Sequence, residues 1–368
     1  MDRRRFLRAL GTLTAAIGAD VAAGRPVEAC LVARGAETAA TPRVKHWAWM
    51  RGNYQSVDEW RRLLAGLRRA GIEAVLVGGS ADFYRAYAPA AKVEGVDVHA
   101  WIFTMMRGEH VKTHPDWYAV SRAGVSTAEK PPYVGYYRFM CPSRDEVRQY
   151  LSDYVGELTR IDGLAGVHFD YIRYPDVILP VALWAKYNLV QDKEYPEFDF
   201  CYCRTCRDRF KERGGRDPLD LADPPRDKAW AKYRYDSITS VVNLLGDLVR
   251  RSGKLATAAV FPTPGIARTL VRQDWPSWRI DAVLPMVYHA FYKEEVSWIE
   301  RATREGVKSL QRRIPLYTGL YVPDLPPANL ARAVRHALAG GASGICLFQG
   351  DTLTAEHWAA IRPILQTR

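Results

Sequence analysis

The chain has 368 residues, 48% of them hydrophobic, with 11 Trp, 20 Tyr and a formal net charge of +11. That apolar content excludes a disordered chain, and the length allows either two ordinary domains or one large barrel. The basic balance suits anionic polymers such as cell-wall or acidic glycans, although a basic host proteome would produce it equally well. No nucleic-acid motif stands behind it.

Taken in chain order, Arg3, Arg4, Arg5, Phe6 and Leu7 precede a weakly apolar stretch from Ala9 to Ala23. This start resembles a twin-arginine export signal. The stretch is too short, and too interrupted by Thr12, Thr14 and Asp20, to span a bilayer. Residues 1–40 are therefore expected to be an export signal and linker, placing the protein in the periplasm or outside the cell. Val27-Glu28-Ala29-Cys30 loosely resembles a lipoprotein box, but Glu28 fits poorly, so lipid anchoring at Cys30 is the minor alternative.

From residue 44 to 368, strand-like and helix-like runs alternate. Lys45 to Met50 reads as a strand, Val57 to Ala70 as a helix stopped by Gly71, and Ile72 to Val77 as a second strand. A short helix near Asp82 to Ala91 precedes a strand from Val96 to Thr104. After a long loop, Ser143 is expected to cap a helix carrying Val147, Leu151 and Leu158, which leads into GVHFDYIRYP, Gly166 to Pro175. Later strands are predicted at Leu255 to Phe261, Ala282 to Tyr288, Ile314 to Tyr321 and Ser343 to Gln349. Further helices are predicted at Lys228 to Arg251, Glu294 to Glu305, Ala328 to Ala339 and from Thr354 onward. Eight strands alternating with helices predict a (β/α)8 TIM barrel. The excess over ~250 residues falls after strands three and four, the second insertion running from about Asp176 to Arg226, so both should decorate the C-terminal face that carries active sites in such barrels.

Within the fourth strand, alternation puts His168 and Asp170 on one side, and Val167, Phe169 and Tyr171 on the other. The apolar set should face the helices, leaving His168 and Asp170 toward the barrel axis with Asp170 nearest the mouth. A buried carboxylate needs a partner or a task, and at the top of a barrel strand it reads as catalytic or ligand-binding. The bland alternative is a structural Asp170–Arg173 ion pair.

Cys201, Cys203 and Cys206 form the one dense cysteine cluster. They could supply three thiolates to a structural zinc lacking an identified fourth ligand, or a disulfide within the cluster or to Cys141. Cys346, in GICLF, reads as a buried free thiol.

The run from Cys141 to Pro175, with its Cys-Pro, helix, Asp-Gly turn and strand ending in DYIRYP, resembles the glycosidase-like barrels called family-10-like glycosyl hydrolases. Gln273 to Tyr288 (QDWPSWRIDAVLPMVY) and His114 to Trp117 (HPDW) are similar to later and earlier segments of that family. The resemblance implies a glycoside hydrolase acting on a bacterial or cell-envelope polysaccharide through two carboxyl groups, with no catalytic cofactor, and it favours a structural clip at the cysteines. Asp170 is then the first carboxyl. Asp274 and Asp351 are candidates for the second, with Glu109 weaker. Candidate sugar-binding residues are His168, Arg173, Tyr174, Trp49, Trp101, Tyr288, His289, Tyr317 and Gln349. The runner-up function is a glycan-binding barrel without catalysis. A metal-dependent hydrolase ranks third, because KHWAW offers a single His on the first strand.

Overall fold

The computed structural model describes residues 46–366 except Asn53 and Gln55. The expected export signal, linker and Cys30 lie outside the described residues. Eight parallel strands alternate with helices: β1 (His46–Met50), α1 (Val57–Ala70), β2 (Ala74–Val77), α2 (Ala81–Val93), β3 (Asp97–Phe103), α3 (Asp145–Thr159), β4 (Leu164–Asp170), α4 (Arg204–Gly214), α5 (Lys228–Arg251), β5 (Leu255–Val260), α6 (Pro264–Val271), β6 (Ala282–Pro285), α7 (Trp298–Leu310), β7 (Tyr317–Tyr321), α8 (Pro327–Ala339), β8 (Gly344–Phe348) and α9 (Ala355–Leu365). The ladder runs β6-β5-β4-β3-β2-β1-β8-β7. Parallel bridges Val283↔Leu316 and Met286↔Gly319 join its two ends, so the sheet closes into a (β/α)8 barrel. Among the described residues no helix is long and apolar enough to cross a membrane.

Local chemistry sets the helix ends. The Ser56 hydroxyl accepts from the Glu59 backbone N–H at the start of α1, and Gly71 ends it with φ of 100°, a conformation that favours glycine. The helix after the first long loop starts differently from expectation. Arg144, not Ser143, is its N-cap residue. Ser143 Oγ instead lies 3.1 Å from the Tyr233 hydroxyl and donates to Ser237 Oγ at 3.3 Å, bonding to α5 rather than to its own helix.

Aromatic and imidazole side chains fill the barrel in stacked levels. At the lower level Trp47 packs edge-on against His99, ring centroids 4.7 Å apart, and against Tyr317 at 5.2 Å. Gly166 makes room there: a Cβ on it would lie 2.3 Å from the His99 ring and 2.3 Å from the Leu255 carbonyl oxygen. Above, Trp49 Nε1 donates to His168 Nε2 at 3.2 Å, and His168 Nδ1 pairs with Thr257 Oγ1 at 2.9 Å. Burial depresses both imidazoles, His99 to about 3 and His168 well below the usual range, so this interior is uncharged at neutral pH. The enlarged loops follow β3 and β4, on the C-terminal face.

Candidate active site

β4 delivers Asp170 to the top of these levels. Its side chain is nearly buried, and both oxygens are engaged: Trp101 Nε1 donates to Oδ2 at 2.9 Å and the Tyr171 backbone N–H donates to Oδ1 at 2.6 Å. Burial pushes the Asp170 carboxyl above the usual carboxylate range, against the opposing pull of those two donors and of the Arg173 charge. Asp170 lies at a cavity open to solvent, walled mainly by rings that include Trp49, Trp101, Tyr288 and Phe348. Flat apolar rings beside a few polar groups suit the alternating CH and OH faces of a saccharide.

The chain leaves β4 abruptly. Tyr171 has φ of 48°, which breaks the strand alternation and turns its ring into the cavity wall rather than toward the helices, contrary to the alternation argument. Tyr171 packs edge-on against Phe103 and lies under the Arg173 guanidinium, 4.9 Å from it. Arg173 does not hydrogen-bond Asp170. It donates from Nη1 to Asp176 Oδ2 at 3.1 Å and from Nη2 to the Tyr137 hydroxyl at 2.7 Å. Burial alone would depress the guanidinium, but Asp176 and the surrounding tyrosines outweigh it and hold it raised. Asp176 also accepts from the Tyr137 hydroxyl and lines the cavity, so two carboxyl groups face one space.

The structure thus brings Asp170, Arg173, Trp49, Trp101 and Tyr288 together. Burial, followed by the nearby Asp170 charge, raises the Tyr288 phenol, keeping it a neutral donor. Other candidates lie elsewhere. His168 sits one level below Asp170 with both ring nitrogens committed to Trp49 and Thr257, beneath the cavity floor. Tyr317 opens β7 instead of ending it and packs deep against Trp47. The Tyr174 hydroxyl is buried away from the cavity and has no hydrogen-bond partner. His289 and Gln349 are half-buried near the ends of β6 and β8 but do not line the cavity.

Of the proposed second carboxyls, Asp274 comes after α6, which separates it from the end of β5, and is ion-paired at 2.6 Å to Arg268. Asp351 follows β8 but pairs with Arg51 at 2.6 Å outside the cavity. Glu109 bonds Arg107 and accepts from the Tyr150 hydroxyl at 2.9 Å. The motif residue beside Asp274 has a clear structural part: Gln273 Oε1 accepts from the Phe261 N–H at 2.9 Å, and its Nε2 donates to the Ile172 carbonyl at 3.3 Å, clamping the chain beyond β4 to that beyond β5.

Sequence reasoning missed Asp176, Phe261, Phe291, Tyr292 and Phe348, all of which line the cavity. Asp176 directly follows DYIRYP, where the sequence predicts the start of an insertion. Phe348 is the last residue of β8, which ends one residue before the predicted strand end at Gln349.

The cysteines form a second constellation. Cys141, Cys201, Cys203 and Cys206 are buried, and one sulfur from each lies within 4.8 Å of the others, a set able to hold a metal ion. Cys346 is a buried free thiol in β8.

No family model and no curated protein matches the chain. Among solved structures it is similar to the glycoside hydrolase domain of PgaB (BpsB) from Bordetella bronchiseptica, with 12% identity, 88% of this chain and 97% of that chain covered, and a TM-score of 0.64. The catalytic domain of β-amylase from Paenibacillus polymyxa gives 10% identity, 87% and 97% coverage, and a TM-score of 0.56. A β-galactosidase from the Antarctic haloarchaeon Halorubrum lacusprofundi gives 14% identity, 88% of this chain and 58% of that chain, and 0.61. At such identities the likeness is one of fold: this chain has the TIM-barrel architecture of those glycoside hydrolases.

Proposed function

We propose that the protein is a glycoside hydrolase of the family-10-like kind, exported to act on a bacterial or cell-envelope polysaccharide, with anionic substrates favoured by its net charge of +11. The observation that carries this reading is the Asp170 carboxyl, raised by burial and set at the floor of a ring-walled cavity on the C-terminal face. A carboxyl raised by burial holds its proton more readily than an exposed one and can give it to the departing glycosidic oxygen as the general acid. Asp176, lining the same cavity and ion-paired to Arg173, is the second carboxylate, the nucleophile or base that completes the pair glycosidases require. Trp49, Trp101 and Tyr288 then supply ring faces and donors for the sugar.

The test is to incubate the wild type and an Asp170→Asn variant with a panel of bacterial glycans that includes peptidoglycan stripped of its peptides. The wild type should release soluble sugars and the variant should lose about 10²–10⁴-fold or more in rate, the usual worth of a general acid. Equal release from both would remove Asp170 from the mechanism. The commitment of Asp176 to Tyr137 and Arg173 favours one second reading, glycan binding without hydrolysis. In that case the same panel would show retention of a glycan by both proteins and release by neither.

A further inference from the structure

The four clustered cysteines come from both enlarged loops, Cys141 from the loop after β3 and the other three from the loop after β4. Cys141 Sγ is 3.5 Å from both Cys203 Sγ and Cys206 Sγ. A disulfide would place two sulfurs about 2.05 Å apart. A tetrahedral zinc ion with four sulfurs at about 2.3 Å sets them about 3.8 Å from one another, and the observed spacing is of that second kind.

The surroundings supply what thiolates need. The Val120 backbone N–H donates to Cys201 Sγ at 3.4 Å. The Tyr174 hydroxyl, buried and without any hydrogen-bond partner, has Cys206, Cys141 and Cys201 as its strongest ionisable neighbours. Its phenol lies within reach of their charge but makes no hydrogen bond to any of the four sulfurs. Four thiolates with one divalent ion carry two net negative charges, and the guanidinium groups of Arg148 and Arg209 are near enough to feel the charge of Cys141.

We propose that Cys141, Cys201, Cys203 and Cys206 form a closed tetrathiolate site for a soft divalent cation, zinc by preference, which fastens the two loops that frame the cavity. An all-sulfur donor set selects zinc over hard, oxygen-seeking ions, and four protein ligands leave no open position for substrate, so the ion is structural. As it binds, each thiol releases its proton to solvent and its sulfur bonds the metal, with no change of oxidation state. The site also bears on the cavity. Tyr174 faces the sulfurs while its neighbour Arg173 lines the cavity and holds Asp176, so the ion and the Arg173–Asp176 pair share one short stretch of backbone.

The experiment measures metal by mass spectrometry on the full chain purified from zinc-replete cells, then replaces it with cobalt. We expect about one zinc per chain, a cobalt form with the intense thiolate-to-metal absorption of a tetrahedral sulfur site, and loss of both in Cys141→Ser. Should Cys141→Ser fail to fold, the cobalt spectrum of the wild type still decides the matter. Metal-free protein whose melting is unchanged by zinc, or alkylation and intact mass showing a disulfide among the four cysteines, would overturn the proposal. None of these readouts depends on glycan cleavage, so this site and the proposed hydrolysis fail separately.

Discussion

Burial raises the Asp170 carboxyl above the usual carboxylate range, while the Tyr171 backbone N–H and the Trp101 indole pull it toward ionisation. That balance gives a pH prediction with a definite sign. A general acid works while protonated, so kcat/KM should fall as pH rises through the Asp170 pKa. Trp101→Phe keeps an aromatic ring but deletes the donor that favours the carboxylate. The pKa then rises further, and the alkaline limb of the profile should move to higher pH, with a loss of about tenfold in kcat/KM from the missing charge-assisted hydrogen bond. A limb that stays in place, or moves to lower pH, would show that Asp170 is not the titrating acid.

The loop after β4 depends on buried charge for its position. Asp199 is fully buried beside Arg234, also fully buried, accepts from the Tyr202 hydroxyl at 2.7 Å, and lies 3.6 Å from Arg272 and 3.4 Å from Arg122. Burial opposes the Asp199 charge, but the surrounding arginines win and hold its carboxyl below the usual range. Asp199→Asn strands the guanidinium groups of Arg234 and Arg272, and should cost about 3–5 kcal/mol in urea unfolding. A loss of under about 1 kcal/mol would mean that the network does not anchor the loop.

The same elements show what a sequence can and cannot disclose. The strands and α1 and α5 were legible because apolar spacing and the glycine or capping residue at each end agree. Asp170 was legible because the period of β4 runs uninterrupted to it. Beyond Asp170 the reading failed for a physical reason: Tyr171 adopts a positive φ, after which residue counting no longer reports direction, so Tyr174 was placed at the sugar when it faces the cysteines. Asp274 was misplaced because α6, only eight residues long, went unrecognised between it and β5. Cys141 gave no local sign of its role, since its partners are 60 residues or more away and meet it only in the folded chain.

At the scale of the whole molecule, the barrel is a stack of filled levels, with uncharged imidazoles below and an acid above, and most of its wall is well laced. β3 and β4 match through six residue pairs from Val98↔Leu164 to Phe103↔Asp170. The join between β6 and β7 is far thinner, resting on two isolated bridges, with the Val283 N–H donating to the Pro315 carbonyl at 3.3 Å and the Val287 N–H to that of Gly319 at 3.0 Å. A hoop under thermal load parts at its least stitched seam. The Val283 and Val287 amides should therefore exchange their hydrogens before those of Phe169 and Ile102 in the opposite wall, and uniform protection around the hoop would refute this. Tyr288 and Tyr321 touch just above that seam, ring centroids 5.3 Å apart. The molecule accordingly has one side on which its mouth is held by fewer strand-to-strand bonds than the wall that carries Asp170.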